Sequence, residues 1–226
     1  MFISLSALRF YGLDSLMDFL IFLVAILITY QSYNIYCLLK EKNYKFFSWA
    51  FLSISIAFLF KVIVNFTFFH QINLLQTYFV NSALLERLEM LDWINFFSTI
   101  LYRVFLLIGF LILFLIFTKT EGREKIILFV YLSIITVLFS IYFGFVFHLT
   151  LFLLISFLTI YFYRNYKKIK SKNSLIVFYS FLIILTANFI GFFSSLHPFF
   201  YLSYEIVLFV GFFVLLINHL SLKKKK

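Results

Sequence analysis

The chain has 226 residues, of which 64% are hydrophobic and only 12% are charged, and its formal net charge is +10. A soluble domain carries about 25% charged residues, so this composition excludes an ordinary soluble fold and predicts an integral membrane protein. The single cysteine, Cys37, excludes an internal disulfide and cysteine-based zinc or iron–sulfur sites. With six glycines and one proline, the chain has few helix breakers, which favours long helices over a β-barrel.

The first stretch, 1–16, contains Arg9 and Asp14. It does not have the pattern of a signal peptide, because no basic region precedes its apolar run. It is predicted to lie at the membrane interface. Seven apolar segments follow, each close to the length of about 20 residues that crosses a bilayer. The fourth and fifth are divided at Gly144, since their combined run is too long for one spanning helix. The predicted spans are 17–38, 46–68, 93–117, 125–143, 145–163, 174–195 and 199–220.

Basic residues are distributed unevenly between the loops. Fifteen of the nineteen lysines and arginines follow the first, third, fifth and seventh segments, whereas Arg9 and Arg87 stand among acidic residues on the opposite side. Because cytoplasmic loops carry an excess of lysine and arginine, the bias predicts seven spans in the cell membrane, with the N-terminus outside and the C-terminus in the cytoplasm. The positive charge then faces anionic lipid head groups, and no nucleic-acid partner is expected.

The loop between the second and third segments has a different pattern. Residues 70–92 carry leucine and aromatic side chains at helical spacing, together with Glu86, Arg87, Glu89 and Asp92. This spacing predicts an amphipathic helix on the outer surface, and an ordered loop is the alternative.

The chain also repeats itself. At an offset of 130, residues 29–60 match residues 159–190 without gaps, and ten of the 32 positions are identical. The identical pairs are Thr29/Thr159, Tyr33/Tyr163, Tyr36/Tyr166, Lys40/Lys170, Lys42/Lys172, Asn43/Asn173, Phe51/Phe181, Leu52/Leu182, Ile54/Ile184 and Ala57/Ala187. The first and second helices are therefore predicted to correspond to the fifth and sixth.

Two short runs extend this repeat, at an offset of 102, to the third and seventh helices. The runs are Tyr102-Arg103…Gly109-Phe110 and Tyr204-Glu205…Gly211-Phe212. Together the matches predict an all-α membrane fold with a 3+1+3 parallel internal duplication, in one membrane domain over 1–226. Its parts are a first repeat at 17–117 that includes 70–92, a linker helix at 125–143 and a second repeat at 145–220. The two glycines are predicted to mark a close crossing of the third and seventh helices.

In topology alone, this arrangement resembles the sugar-transporter and PQ-loop families and, more loosely, the microbial opsins. The chain has no Pro-Gln pair, since Pro198 is its only proline, and its seventh segment has no lysine for a retinal Schiff base. The resemblance therefore implies a topology and carries over no functional residue.

Polar residues lie at one depth inside the predicted membrane. At a rise of about 1.5 Å per residue, Lys61, Arg103 and Glu205 are each roughly 24–27 Å from the cytoplasmic ends of their segments. Asn188 falls at the same level, and Asn65 lies one turn beyond Lys61. Because a charge at the centre of a bilayer costs about 2.5–3.5 kcal/mol, we expect Arg103 to pair with Glu205, and Lys61 either to remain for an anionic group or to share Glu205. A purely structural ion pair, or a Lys61 that extends to the interface, is the alternative.

The predicted site lies between the two repeats and opens outward. Its lining residues are Lys61, Asn65, Tyr102, Arg103, Asn188, Tyr204 and Glu205. The leading hypothesis is a small-solute transporter or permease-like protein for an anionic or polar solute, which Arg103 and Lys61 attract and Glu205 balances. The alternative is a receptor-like or accessory membrane subunit that acts through a partner protein.

Histidines and acidic residues also map to the outer rim, namely His70, His148, His197, Glu86, Glu89 and Asp92. Interfacial polar residues are the expected interpretation, and a zinc or pH-sensing site is the alternative. The sequence shows no nucleophile–base motif, acidic metal motif or glycine-rich phosphate loop, so no enzymatic activity, cofactor or metal is expected.

Overall fold

The computed structural model describes residues 11–77, 82–118, 123–194 and 196–223, and this part of the chain forms seven helices. They are α1 (Tyr11–Leu39), α2 (Lys42–Thr77), α3 (Ser82–Thr118), α4 (Arg123–Tyr142), α5 (Gly144–Ile169), α6 (Lys172–Phe192) and α7 (Pro198–Lys223). The predicted all-α fold is confirmed. The predicted break at Gly144 is confirmed as well, because α4 ends at Tyr142 and α5 begins at Gly144.

Six of these helices are long and apolar enough to cross a membrane, by their length and composition. They are α1, α2, α3, α5, α6 and α7. In α4 the apolar part that the structure describes, Ile127–Tyr142, is shorter. The fold is therefore that of a multi-pass helical membrane protein, and the seventh span stays a prediction.

The segment predicted as a surface helix is divided between two helices. Residues 70–77 continue α2 and residues 82–92 begin α3, while 78–81 lie outside the described residues. No glycine or proline occurs between Gly12 and Gly109, so nothing in the sequence interrupts the backbone hydrogen bonds of α2 or α3. These two helices consequently reach 36 and 37 residues.

The six long helices form a closed ring. Each neighbour in the order α1, α2, α3, α5, α6, α7 packs against the next, and α7 returns to α1. Helix α4 lies outside the ring against α3 and α5. Helices α1, α3, α5 and α7 therefore all begin at the same end of the ring, which we call the first end.

Aromatic side chains fill the middle of the ring. Phe58 and Phe212 pack edge to face with their ring centroids 5.8 Å apart, and Phe51 contacts Phe212 in the same manner at 6.5 Å. All three side chains are almost completely buried. On the side of Lys61 that faces away from the first end, the bundle is therefore tightly packed with apolar groups.

The turn from α1 to α2 and the turn from α5 to α6 have the same backbone conformation. Lys40 and Lys170 have φ values of 56° and 52°, and they are the positive-φ non-glycine residues among those described. Each donates its backbone N–H over 2.8 Å to a carbonyl four residues earlier, on Tyr36 and Tyr166 respectively. A left-handed residue at this position satisfies a carbonyl at the helix end and reverses the chain within two residues.

The two predicted crossing glycines lie in contacts other than the predicted one. A Cβ added to Gly109 would stand 2.5 Å from Cγ1 of Ile54 on α2, and a Cβ on Gly211 would stand 2.6 Å from Cγ1 of Ile184 on α6. The prediction that they mark a crossing of α3 and α7 is wrong. Each glycine instead lets the third helix of its own triplet approach the second, where any side chain would collide with a branched isoleucine.

Candidate functional site

Lys61 is the centre of a buried ionic cluster near the first end. It lies on α2, and its Nζ donates to Oδ1 of Asp18 on α1 over 2.8 Å and also to Oε1 of Glu205 on α7. Asn65 donates from Nδ2 to the second oxygen of Asp18, again over 2.8 Å. Asp18 and Glu205 are fully buried. The cluster thus joins three helices through hydrogen bonds shielded from solvent.

Aromatic rings enclose the Lys61 ammonium group. Its Nζ lies between 5.3 and 5.9 Å from the centroids of four rings. These rings belong to Phe58, Tyr102, Tyr201 and Tyr204. Contacts of a cation with aromatic faces are favourable, and they are stronger where water is excluded.

The predicted ion pair between Arg103 and Glu205 is wrong. Glu205 pairs with Lys61, whereas NH1 of Arg103 donates to the Ser140 carbonyl oxygen over 2.7 Å and to Oγ of the same residue over 3.0 Å. Ser140 lies in the last turn of α4, whose final carbonyls have no partner within the helix and carry the negative end of its dipole. The C-terminus of α4 therefore offsets the charge of Arg103 without a carboxylate.

Asp18 is the member of the cluster that the predicted site did not include, although it lies within the first predicted span, 17–38. The turn between α1 and α2 is centred on residues 40 and 41. In an antiparallel helix pair of equal rise, residues at equal distances from the turn face one another. Asp18 lies 22 residues before Lys40 and Lys61 lies 20 residues after Glu41, so the hairpin itself indicates this ion pair.

A cavity of about 430 Å³ opens beside the cluster at the first end. It is lined by Lys61, Val64, Asn65, Thr99, Tyr102, Arg103, Tyr142, Phe143, Gly144, Phe145, Phe147, His148, Gly191, Phe192, Ser194, Tyr201 and Tyr204. Every described helix except α1 contributes to this lining. The cavity therefore lies on the α3–α5 side of the ring, and the ionic cluster lies at its edge.

Five of the seven predicted site residues line this cavity, namely Lys61, Asn65, Tyr102, Arg103 and Tyr204. The hydroxyl oxygens of Tyr102 and Tyr204 lie 3.5 Å apart. Glu205 and Asn188 do not line it. Glu205 lies behind Lys61, and Asn188 donates to the carbonyl of Ile184 on its own helix over 2.9 Å. The predicted site is thus partly assembled around the cavity.

His148 contributes a polar atom with no hydrogen-bond partner. Its Nδ1 is buried and has no partner among the residues that the structure describes, and its ring packs edge to face with Tyr204 at 5.2 Å. A Cβ on Gly191 would stand 2.8 Å from this nitrogen, so only glycine at that position leaves room for the ring. His148 therefore presents its imidazole to the cavity rather than to the outer rim.

The other predicted histidines do not join it in a site that the structure describes. His197 is exposed, and its Nδ1 accepts a hydrogen bond from the Phe199 backbone. The side chains of His70, Glu86 and Arg87 lie outside the described part of the chain. Among the residues described, no group of three histidine, cysteine or acidic side chains is arranged to hold a metal ion.

These features define a polytopic helical membrane protein with a buried ionic cluster and an adjoining cavity. No protein-family model, curated protein or solved structure matches this chain. The interpretation of the site therefore depends on its own geometry.

Proposed function

We propose that the protein is a small-solute transporter or permease-like protein of the cell membrane, with its substrate site in the cavity between the two halves of the bundle. The observation that carries the proposal is the position of the cavity, which reaches from the first end to the depth of Lys61 and Arg103. Ionisable residues within membrane helices commonly mark a solute or ion pathway, since burying a charge in lipid is costly.

Arg103 is the cation proposed to receive an anionic group of the solute. Lys61 already contacts two carboxylates, whereas the described contacts of Arg103 are Ser140 and the ring of Phe147, 5.7 Å from its Cζ. The guanidinium group has five N–H donors, and only NH1 is used in a hydrogen bond to a described residue. Its free edge suits a carboxylate or a phosphate, which it binds through two parallel hydrogen bonds.

The proposed 3+1+3 duplication supplies two repeats that can move against each other, as alternating-access transport requires. Three observations support it. Lys40 and Lys170, a matched pair in the sequence, share an unusual left-handed conformation. Gly109 and Gly211 are opposed by Ile54 and Ile184, which are also a matched pair. The two contacts between triplets, α1 with α7 and α3 with α5, are the pair that a twofold axis along the ring would exchange.

The proposed orientation has seven spans, with the N-terminus outside and the C-terminus in the cytoplasm. The basic residues that follow α1, α3, α5 and α7 support it, because such residues favour the cytoplasmic side. In this orientation the cavity opens to the outside. A solute would then meet Arg103 after crossing only the outer part of the bilayer.

Uptake into proteoliposomes tests the proposal. Purified protein is reconstituted, and a panel of radiolabelled carboxylates, phosphate esters and neutral metabolites is screened for accumulation. We expect at least one small anion to be taken up, and Arg103→Gln to abolish its uptake while Arg164→Gln, at an exposed position, retains it. Absence of uptake across the panel, or equal uptake by the two variants, would contradict the proposal.

The second candidate is a receptor-like or accessory membrane subunit, and no catalytic role is proposed in either case. The closed packing around Phe51, Phe58 and Phe212 favours it, because no passage continues from the cavity through these described residues. In that role the cavity would bind a ligand without releasing it on the other side. Saturable binding of an anion to the detergent-solubilised protein without uptake into proteoliposomes would identify this function.

A further inference from the structure

The ionic cluster contains more carboxyl groups than positive charges. Asp14 and Asp18 come from α1 and Glu205 from α7, whereas Lys61 is the described basic residue in contact with the cluster. Asp14 is buried one helical turn before Asp18, on the same face of α1. With all three acids ionised, the cluster would carry two uncompensated negative charges within apolar helices. A buried charge without compensation is strongly unfavourable, so the cluster requires additional positive charge.

The three carboxyl groups differ in their partners. Both oxygens of Asp18 accept hydrogen bonds, from Lys61 and from Asn65. Glu205 accepts from Lys61 at Oε1, but its buried Oε2 has no hydrogen-bond partner in the described part of the chain. Oδ1 of Asp14 is likewise buried without a partner. Within this cluster, the unpartnered oxygens therefore belong to Asp14 on α1 and to Glu205 on α7.

We propose that the carboxyl groups of Asp14, Asp18 and Glu205 together hold at least one bound proton, which makes this cluster a proton-binding site of the protein. A protonated carboxyl needs a single acceptor and removes one negative charge. Hard metal ions such as Ca²⁺ and Mg²⁺ take about six or more oxygen ligands, far more than the two unpartnered oxygens supply. The described residues also include no group arranged to hold a metal. The inference goes beyond the proposed transport activity and does not depend on it.

Other titratable groups face Asp14 and Glu205 from the helices around them. They are Asp18 from α1, Lys61 from α2, Tyr102 from α3, and Tyr201 and Tyr204 from α7, while His148 on α5 interacts with Lys61. Tyrosine is uncharged near neutral pH, and His148 adds no negative charge in either protonation state. The proton is therefore assigned to the carboxyl groups of the cluster.

Infrared spectroscopy of the reconstituted protein tests the proposal directly. At pH 7 we expect the C=O stretching band of a protonated carboxylic acid, shifted in D₂O, with an intensity of at least one group per chain. Because each variant removes one carboxyl group and one negative charge from the cluster, Asp14→Asn and Glu205→Gln should each reduce the band at least about twofold. Glu41→Gln, at an exposed position, should leave it unchanged.

Two results would overturn the assignment. The first is absence of the band from the wild-type protein at pH 7, a measurement that needs no variant to fold. The second is a band that persists unchanged in both Asp14→Asn and Glu205→Gln. Thermal unfolding measured in parallel in sodium chloride and in choline chloride tests whether the cluster binds a metal ion. If sodium stabilises the wild-type protein but not Glu205→Gln, and the carboxylic acid band is absent, the cluster binds a sodium ion instead of a proton.

Discussion

The triplets α1–α3 and α5–α7 meet at two contacts that differ in chemistry. At the first end, the α1–α7 contact is joined by Asp18 and Glu205, which Lys61 bridges. The corresponding part of the α3–α5 contact holds Arg103 over the ring of Phe147 and borders the cavity. One contact is closed by hydrogen-bonded ions, and the other leaves a space of about 430 Å³.

The same difference continues at the opposite end. Between α1 and α7, Oγ of Ser32 and Nε2 of His219 lie 3.0 Å apart, within hydrogen-bond distance. Between α3 and α5, the rings of Phe117 and Phe162 pack edge to face with centroids 4.7 Å apart. Under the proposed duplication these two pairs occupy equivalent positions. The α1–α7 contact is thus polar at both ends, whereas the α3–α5 contact is mainly aromatic.

The comparison shows two kinds of contact between the triplets, one hydrogen-bonded and one aromatic. Polar groups in lipid must be satisfied within the protein, so a hydrogen-bonded contact has a defined geometry and is costly to open. Aromatic contacts without such bonds separate at a lower cost. Under the proposed function, α1–α7 is then the fixed contact, and α3–α5, where the cavity lies, is the contact expected to open.

Replacing Lys61 should have the largest effect on stability, because it disrupts the ionic cluster of the α1–α7 contact. Lys61→Met leaves Asp18 and Glu205 buried without their common partner, and removing one member of a buried pair costs about 3–5 kcal/mol. We expect a large fall in the thermal unfolding temperature of the protein in detergent. Lys45→Met, at an exposed position, is the matched control and should melt as the wild type does. Equal unfolding temperatures for the two variants would show that the cluster does not hold α1 to α7.

Alanine at the two glycines tests whether the halves are equivalent. Gly109→Ala and Gly211→Ala each place a methyl group against an isoleucine, and overpacking of this kind costs about 1–3 kcal/mol. Gly109→Ala should lower stability more, because its Cβ would also stand 2.9 Å from the backbone oxygen of Ala50.

Chemical unfolding of these variants supplies the measurement. Gly144→Ala is the control, since a Cβ there meets nothing within 4 Å. If only one of Gly109→Ala and Gly211→Ala destabilises the protein, the two close helix contacts are not equivalent and the comparison loses its basis.

The smallest effect on stability is expected for Arg103. Arg103→Gln keeps a side-chain donor within reach of Ser140 and removes a charge that borders the cavity, so a loss of about 1 kcal/mol is expected. Thermal unfolding beside Lys61→Met measures the difference between the two contacts. A loss from Arg103→Gln as large as that from Lys61→Met would mean that the α3–α5 contact is as firmly held as α1–α7.

The sequence predicted the helices well because their signals are local. Apolar length defines the long helices, and Gly144 marks the boundary of α4 and α5. The depth of Lys61, Arg103 and Glu205 also followed from helical rise and brought most of the site together. The pairing of these charged residues did not follow, because helical rise gives the depth of a residue but not the direction in which its side chain points around the helix. Arg103 points toward α4, a helix that the repeat leaves without a counterpart.

Solvent access at equal depth in the two contacts tests the central claim most directly. In a Cys37→Ser background, Thr99→Cys places a thiol in the cavity wall, and Ile21→Cys places one on the fully buried face of α1, one turn from Asp18. The account predicts that a charged, water-soluble thiol reagent labels Thr99→Cys in the folded, detergent-solubilised protein and labels Ile21→Cys only after unfolding. Labelling of both at the same rate, or of Ile21→Cys alone, would contradict it.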